Sequence, residues 1–253
     1  MAEEVPLLEL RGVSKVFGAV RALNGVNFTV PPGKVTSLAG DNGAGKSVLI
    51  KTIAGLWEPS EGEIYWEGQH VRFHSPNDAE KHGITTIYQD LALCDNLDIV
   101  QNMFLGHESL RHRLLDETAM ELAARKTLAD LHVTTVRSIR QPVASLSGGQ
   151  RQSVAVAKAV MQAAKLVIMD EPTAALGVAQ TRMVLELIKR LSSQGTAVIL
   201  ISHNLNDVFA VADQISILYL GQMVASGPAE DFDRQVIVDY MTTGQSSRAE
   251  AAG

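Results

Sequence analysis

The sequence has one cysteine, Cys94, among 253 residues, so neither an intrachain disulfide nor a cysteine-based zinc site can form. A lone small apolar residue of this kind is expected to be packed and unreactive. Long apolar runs are missing too. The longest, such as Ala197 to Ile201 and Ile215 to Leu220, fall far short of the ~20 residues of a membrane-crossing helix and read as buried strands. Basic charge is scarce: 28 acids against 22 bases leave a formal net charge of −6. That balance gives no general attraction to nucleic acid or anionic lipid, so nucleic acid is not expected as a partner, and any membrane association must run through another protein. The start, from Met1 to Pro6, is acidic where a secretory signal is basic, and no apolar stretch follows it; the chain is expected to stay in the cytosol. No internal repeat is visible.

What is present is the composition of a globular protein, with 46% apolar and 20% charged residues and only eight prolines. The length allows one substantial domain with a lobe. From Gly244 to Gly253 there is almost nothing to bury, and that tail is expected to be mobile. Strand-like runs occur at Leu7 to Leu10, Val26 to Val30 and Val35 to Ala39, crowded together as in an antiparallel piece. Later runs follow at Ile64 to Trp66, Ile84 to Tyr88, Leu166 to Met169, Thr196 to Ser202 and Ile215 to Leu220. These are continuously apolar and separated by helical patterns, as parallel strands covered on both faces would be. Helical periodicity is clearest at Val178 to Gln194, with Val184, Leu187, Ile188 and Leu191 at three- and four-residue spacings. Between about Leu91 and Val160 no strong strand signal occurs, while Leu115 to Leu131 and Arg151 to Ala164 look helical. The expectation is an α/β fold with core segments 5–90 and 165–243 and an inserted helical lobe at about 91–164.

The segment Gly40-Asp41-Asn42-Gly43-Ala44-Gly45-Lys46-Ser47 matches G-x-x-x-x-G-K-[ST] between an apolar strand and an amphipathic pattern from Val48 to Leu56. Glycines let successive backbone N–H groups curl around a phosphate, and the helix N-terminus adds its positive end. Lys46 would neutralise the β and γ phosphates of a nucleotide, and Ser47 would offer a hydroxyl to Mg²⁺. A second signal is Leu166-Val167-Ile168-Met169-Asp170-Glu171, an apolar strand ending in two acids. Strand C-termini are where open α/β sheets place ligands. There Asp170 can orient Mg²⁺ or its waters, and Glu171 can polarise the attacking water as general base.

A third segment, Leu146-Ser147-Gly148-Gly149-Gln150, precedes another helical pattern and alone could be a capped helix start. Its place between the phosphate loop and the acidic strand end makes the chain resemble the ATP-binding cassette of ABC proteins over nearly all of its length before the tail. The fold this implies is a P-loop NTPase core with a mostly parallel sheet, an N-terminal antiparallel β subdomain and the inserted helical lobe. Carried over by position, the resemblance makes Phe17 the aromatic that stacks on adenine, with a plain core phenylalanine as the alternative. Gln89 matches the glutamine that senses Mg²⁺ and the attacking water, and His203 the histidine that holds the γ-phosphate. Ser147, Gly148, Gly149 and Gln150 would complete the site of a second subunit, because two cassettes sandwich two ATP molecules head to tail. Closure on ATP and opening after hydrolysis would then be the power stroke.

Two positions depart from the family's pattern. Val48 stands where Thr or Ser is common, which removes one hydroxyl contact to the α-phosphate. Gly177 stands where an aspartate usually crosses the dimer interface. Within the family, Ser75 to Ala79, Gly83-Ile84, Tyr88 to Leu93 and Asn102 to Gly106 look like importers of simple sugars, and the single cassette is similar to the fructose-type branch. The resemblance implies a homodimer on the cytoplasmic face of the membrane, bound to two membrane-spanning permease subunits and served by a substrate-binding protein. The docking surface is expected around Leu91 to Phe104, through Leu93, Leu97, Ile99, Met103 and Phe104; packing of the helical lobe is the competing role for the same residues. A soluble ABC ATPase acting on ribosomes, DNA or iron-sulfur assembly, an importer of a non-sugar solute, and a nucleotide-binding regulator without turnover remain alternatives.

Overall fold

A computed structural model of the chain describes residues 5–133, 135–174 and 176–245, so most of the tail expected to be mobile lies outside the described residues. The chain opens with β1 (Leu8–Phe17), β2 (Val20–Val30) and β3 (Val35–Ala39). In β2, Val26, Phe28 and Val30 are buried while Asn27 and Thr29 are exposed, the period-two pattern of a strand with one covered face. α1 (Lys46–Ile53) precedes β4 (Glu61–Trp66) and β5 (Gln69–Val71). The antiparallel sheet has the order β2-β1-β4-β5. β3 is not part of it, against the grouping expected from sequence. All five of its residues are buried, a run that only the interior of a sheet covered on both faces uses; the chain leaves the first sheet at Pro31-Pro32-Gly33. Conversely β4, expected among the later, continuously apolar runs, begins with exposed Glu61, Gly62 and Glu63 and pairs antiparallel with β1.

Beyond these come α2 (Pro76–Lys81), β6 (Ile84–Ile87), α3 (Ile99–Phe104), the hairpin β7 (Leu110–Arg111) with β8 (Leu114–Leu115), α4 (Glu117–Asp130) and α5 (Gly148–Met161). The chain then runs through β9 (Leu166–Asp170), α6 (Val178–Ser193), β10 (Ala197–Ile201), α7 (Leu205–Val211), β11 (Gln214–Tyr219), β12 (Gln222–Pro228) and α8 (Arg234–Thr243). The second sheet has the order β12-β11-β3-β10-β9-β6 and is parallel except for the edge strand β12.

Alternation in the central strands splits the core. Val198 and Leu200 of β10 join one apolar cluster with α3, α4, α5 and α6, while Ala197, Ile199 and Ile201 join another with the antiparallel sheet and α1. The lobe therefore shares a core with the sheet and has none to itself. Its helices start on side-chain caps, Asp98 for α3, Asp116 for α4 and Ser147 for α5, each satisfying an N–H that the helix leaves open. One expectation is corrected here. Ile99, Met103 and Phe104 are buried in the core that lobe and sheet share and present no docking surface; Leu93 and Leu97 are half-buried. For the three buried residues the competing role, packing of the lobe, is the one taken, on the inward face of the short helix α3.

Candidate functional site

β3 ends at Ala39 and the chain turns through residues 40–47 into α1. Two glycines make the turn possible. At Gly40, φ is 158° and a Cβ would stand 2.5 Å from the carbonyl oxygen of Leu218; at Gly45, φ is 106° and a Cβ would stand 2.9 Å from that of Ala22. Gly45 is the N-cap of α1 and brings no side-chain cap, so the first N–H groups of the helix are left for a ligand. The Lys46 ammonium donates to the carbonyls of Gly40 at 2.7 Å and Asp41 at 3.0 Å, closing the loop on itself. A cleft of about 480 Å³ is lined by Val20, Arg21, Ala22, the loop from Asp41 through Ser47, Val48, and Leu220 with Gly221. Sequence reasoning missed the β2 and β11–β12 sides of this cleft. No motif marks them, although Gly221 supports the loop directly by donating its N–H to Ala44 O at 2.8 Å.

Strand register brings the other motifs to the same edge. Leu38 of β3 lies opposite Ile201 of β10, and Ile201 opposite Asp170 of β9. On the far side of β9, Ile87 of β6 lies opposite Met169. Gly40, His203, Glu171 and Gln89 therefore all follow within two residues of one row across the sheet. Glu171 adopts φ 50°, a strained conformation for a non-glycine residue, and its N–H donates to Ile201 O at 3.0 Å. Its Oε2 accepts from His203 Nδ1 at 2.7 Å. The carboxylate side chain is 18% exposed and the imidazole 72% exposed, so the histidine is open to a ligand while orienting the acid. Behind them the buried Thr173 hydroxyl donates to Asp207 Oδ2 at 2.6 Å and ties the loop to α7.

The same proximity appears in the electrostatics. Burial lowers the Lys46 pKa, opposed by Glu171, Asp170 and Asp41. Burial raises that of Asp170, with repulsion from Glu171 adding and Lys46 and Lys51 opposing. Two acids and a lysine thus lie within electrostatic reach of one another, with Lys46 and Asp170 half-buried. Gln89 is exposed and follows β6 at the same sheet edge.

Ser147, Gly148, Gly149 and Gln150 do not line that cleft. Ser147 caps α5 in a capping box, accepting from Gln150 N at 3.4 Å while Gln150 Oε1 accepts from Ser147 N at 2.9 Å. A side chain at Gly148 would meet Leu176, and one at Gly149 would meet Met183 and Gln180, so this turn is pressed against the start of α6. Phe17 pairs with Val20 across the β1–β2 hairpin. It is 39% exposed and stands edge-on to Trp57 at 4.8 Å, beside the cleft but not in its wall.

The sequence profile described as ABC transporter matches residues 23–174, more than half of the chain. The chain belongs to the ABC transporter family. Among curated relatives, the ABC chain is 46% identical to a fructose import ATP-binding protein of Rhizobium meliloti, over 99% of both chains. It is also 46% identical to a xylose/arabinose import ATP-binding protein of Sulfolobus acidocaldarius, over 94% of both. A ribose import ATP-binding protein of Agrobacterium fabrum matches at 41%, and there the chain spans 46% of its relative. Solved ABC cassettes superpose well. The ADP form of one aligns with a TM-score of 0.82 at 26% identity over 98% of this chain and 99% of the other, and a nucleotide-free cassette with 0.78 at 27% over 89% and 92%. As an ABC cassette the chain binds nucleotide. The residues also fit a magnesium ion: exposed Ser47 and half-buried Asp170 offer only oxygen, the donor type a hard cation takes, and Glu171 adds a second carboxyl beside them. No described helix is long and apolar enough to cross a membrane.

Proposed function

We propose that this chain is the ATP-hydrolysing subunit of an importer of a simple sugar, working as a homodimer on the cytoplasmic face of the membrane against two permease subunits that a substrate-binding protein supplies. The cassette occupies residues 5–243, with the lobe at about 91–164. Support for the cargo class comes from the two relatives aligned over nearly their full lengths, both named for sugar import. No residue of the cleft speaks to the cargo, because the nucleotide site does not touch it.

Hydrolysis is carried by one observation: Glu171, held in a left-handed conformation and bonded to His203 at 2.7 Å, stands next to Asp170 at the strand tips that face Lys46. The loop N–H groups from Asp41 to Ser47 and the Lys46 ammonium cradle the phosphates. Phe17 and the Val20–Ala22 wall bound the nucleotide's far end. Mg²⁺, held by Ser47 and Asp170 with Gln89 at the same sheet edge, would neutralise phosphate charge when bound. Glu171 accepts a proton from the attacking water, and the His203 Nδ1–H fixes the carboxylate, while Nε2 can donate to the γ-phosphate when the ring carries its second proton. The Ser147-Gly148-Gly149 turn, with Gln150 closing its capping box, presents a helix N-terminus to the partner's nucleotide.

Replacing Glu171→Gln in the full chain is expected to cut ATP turnover at least ~100-fold with ATP affinity unchanged, the range for loss of a general base. A turnover close to that of the parent would reject the assignment.

A further inference from the structure

The loop that follows Gln89 is pinned along its second half, from Cys94 to Asp98. Asn102, 1% exposed on α3, commits its whole amide to that loop. Its Oδ1 accepts from Cys94 N at 2.7 Å, and its Nδ2 donates toward the carbonyls of Cys94, Leu97 and Asp98 at 2.9, 3.2 and 3.0 Å. The loop is then stitched to the segment leading into α5. Ala144 N donates to Asp95 O at 3.1 Å and Val143 N to Leu97 O at 3.0 Å, and Asp98 forms a β-bridge with Pro142. Arg151, in the first turn of α5, closes the assembly from the side. Its Nη1 donates to Asp95 Oδ1 at 2.9 Å, its Nη2 to Ala144 O at 3.2 Å and its Nε to Leu146 O at 3.4 Å.

We propose that Arg151 is a positioning residue for the nucleotide-sandwiching turn: by gripping Asp95, Ala144 and Leu146 at once, it makes the loop after Gln89 and the Ser147-Gly148-Gly149 turn a single rigid body. A displacement at Gln89 of one site then arrives at the γ-phosphate of the other, because Leu146 is the residue directly before Ser147. The inference rests on the reading of that turn as the cap of a partner's nucleotide.

The Arg151–Asp95 pair is 32% and 62% exposed at its side chains, and an isolated pair that open to solvent adds little stability. Its worth is geometric. A guanidinium offers donors in a fixed planar fork, and here the fork spans three acceptors on two segments; a lysine carries the same charge without the fork. Arg151 touches neither the cleft nor the strand tips. Its loss should leave nucleotide binding to a single chain intact and impair only the step that brings two chains together.

The test uses the full chain in a Glu171→Gln background, so that ATP is held and not turned over. Binding of the fluorescent analogue MANT-ATP reports the single site, and light scattering against protein concentration with ATP and magnesium reports dimerisation. Arg151→Ala and Arg151→Lys are both expected to weaken ATP-driven dimerisation about fivefold, within the range for residues that couple sites, with MANT-ATP affinity unchanged. Asp95→Asn, which keeps a hydrogen-bond acceptor, is expected to weaken it about twofold. Three results would overturn the proposal: dimerisation of Arg151→Ala equal to the background protein, full function in Arg151→Lys, or an equal loss of MANT-ATP affinity. If the Glu171→Gln protein itself binds MANT-ATP but never dimerises, the sandwich reading falls first and takes this inference with it.

Discussion

Asp170 illustrates how function and stability oppose each other at a single residue. Its carboxyl is half-buried beside Glu171, and both desolvation and that neighbour raise its pKa, so the folded protein holds a proton there at pH values where the unfolded chain has released it. Stability from this group is therefore present at low pH and lost as pH rises through the window just above 3.8, the ordinary value. Once ionised, Asp170 is a net burden that a bound cation would relieve. Asp170→Asn is expected to raise the melting temperature of the nucleotide-free protein at neutral pH, to remove the loss of stability that accompanies ionisation of Asp170 and so steepen the acidic limb of its stability profile, and to abolish magnesium-dependent ATPase activity. A lower melting temperature at neutral pH would contradict this electrostatic account. At this scale the sequence was informative about identity and silent about conformation. Spacing and flanking pattern marked Lys46, Ser47, Asp170 and Glu171, because the chemistry demands those types at a strand tip. Nothing in the sequence indicated the left-handed backbone of Glu171 or its bond to His203, since both arise from pairing between β9 and β10.

Among elements, α6 starts on an imperfect cap. Gly177 is its N-cap in extended conformation, φ −72° and ψ 162°, and supplies no side-chain bond of its own; Gln180 Oε1 accepts from its N–H at 3.3 Å. A Cβ at Gly177 would meet nothing within 4 Å, and the backbone angle is one any residue adopts. An aspartate therefore fits, caps the first turn and places negative charge at the helix's positive end, which together contribute about 0.5 kcal/mol over glycine. Gly177→Asp is expected to raise the melting temperature by about 1–2 °C in a chain of this size; a scanning calorimetry trace with a lower midpoint would mean that the loop before α6 resists the change. A long element of one clear period, α6, and a short continuously apolar one, β3, could be read from sequence to within about a turn. Elements that could not be read include the edge strands β5, only three residues long, and β12, whose Gly and Pro obscure the strand pattern, and the short α2 and α7, whose caps do more than their apolar spacing to define them. The exchange of β3 and β4 between sheets has the same origin, since local sequence states that a run is a strand but not which neighbour it pairs with.

At the scale of the whole molecule the lobe and the sheet are one cooperative body. Met103 of α3, fully buried, packs in the same cluster as Val167 and Met169 of β9, the strand that ends in Asp170 and Glu171. Met103, a docking candidate in the sequence, thus belongs to the core, and the two roles carry opposite expectations. A docking residue can be truncated without loss of fold. A core methionine cannot, because its removal forfeits apolar burial and leaves a cavity, together costing about 2–5 kcal/mol. Met103→Ala is expected to lower global stability by that amount, and, because no separate lobe core exists, to shift the loss of helical circular dichroism and the loss of MANT-ATP binding to the same lower urea concentration. Two separated transitions would show that the lobe unfolds by itself. Exposed Leu110, Leu114 and Leu115 on the β7–β8 hairpin provide the contrast: 67%, 74% and 56% exposed, their replacement by serine should leave the urea midpoint within the ~0.5 kcal/mol typical of surface changes.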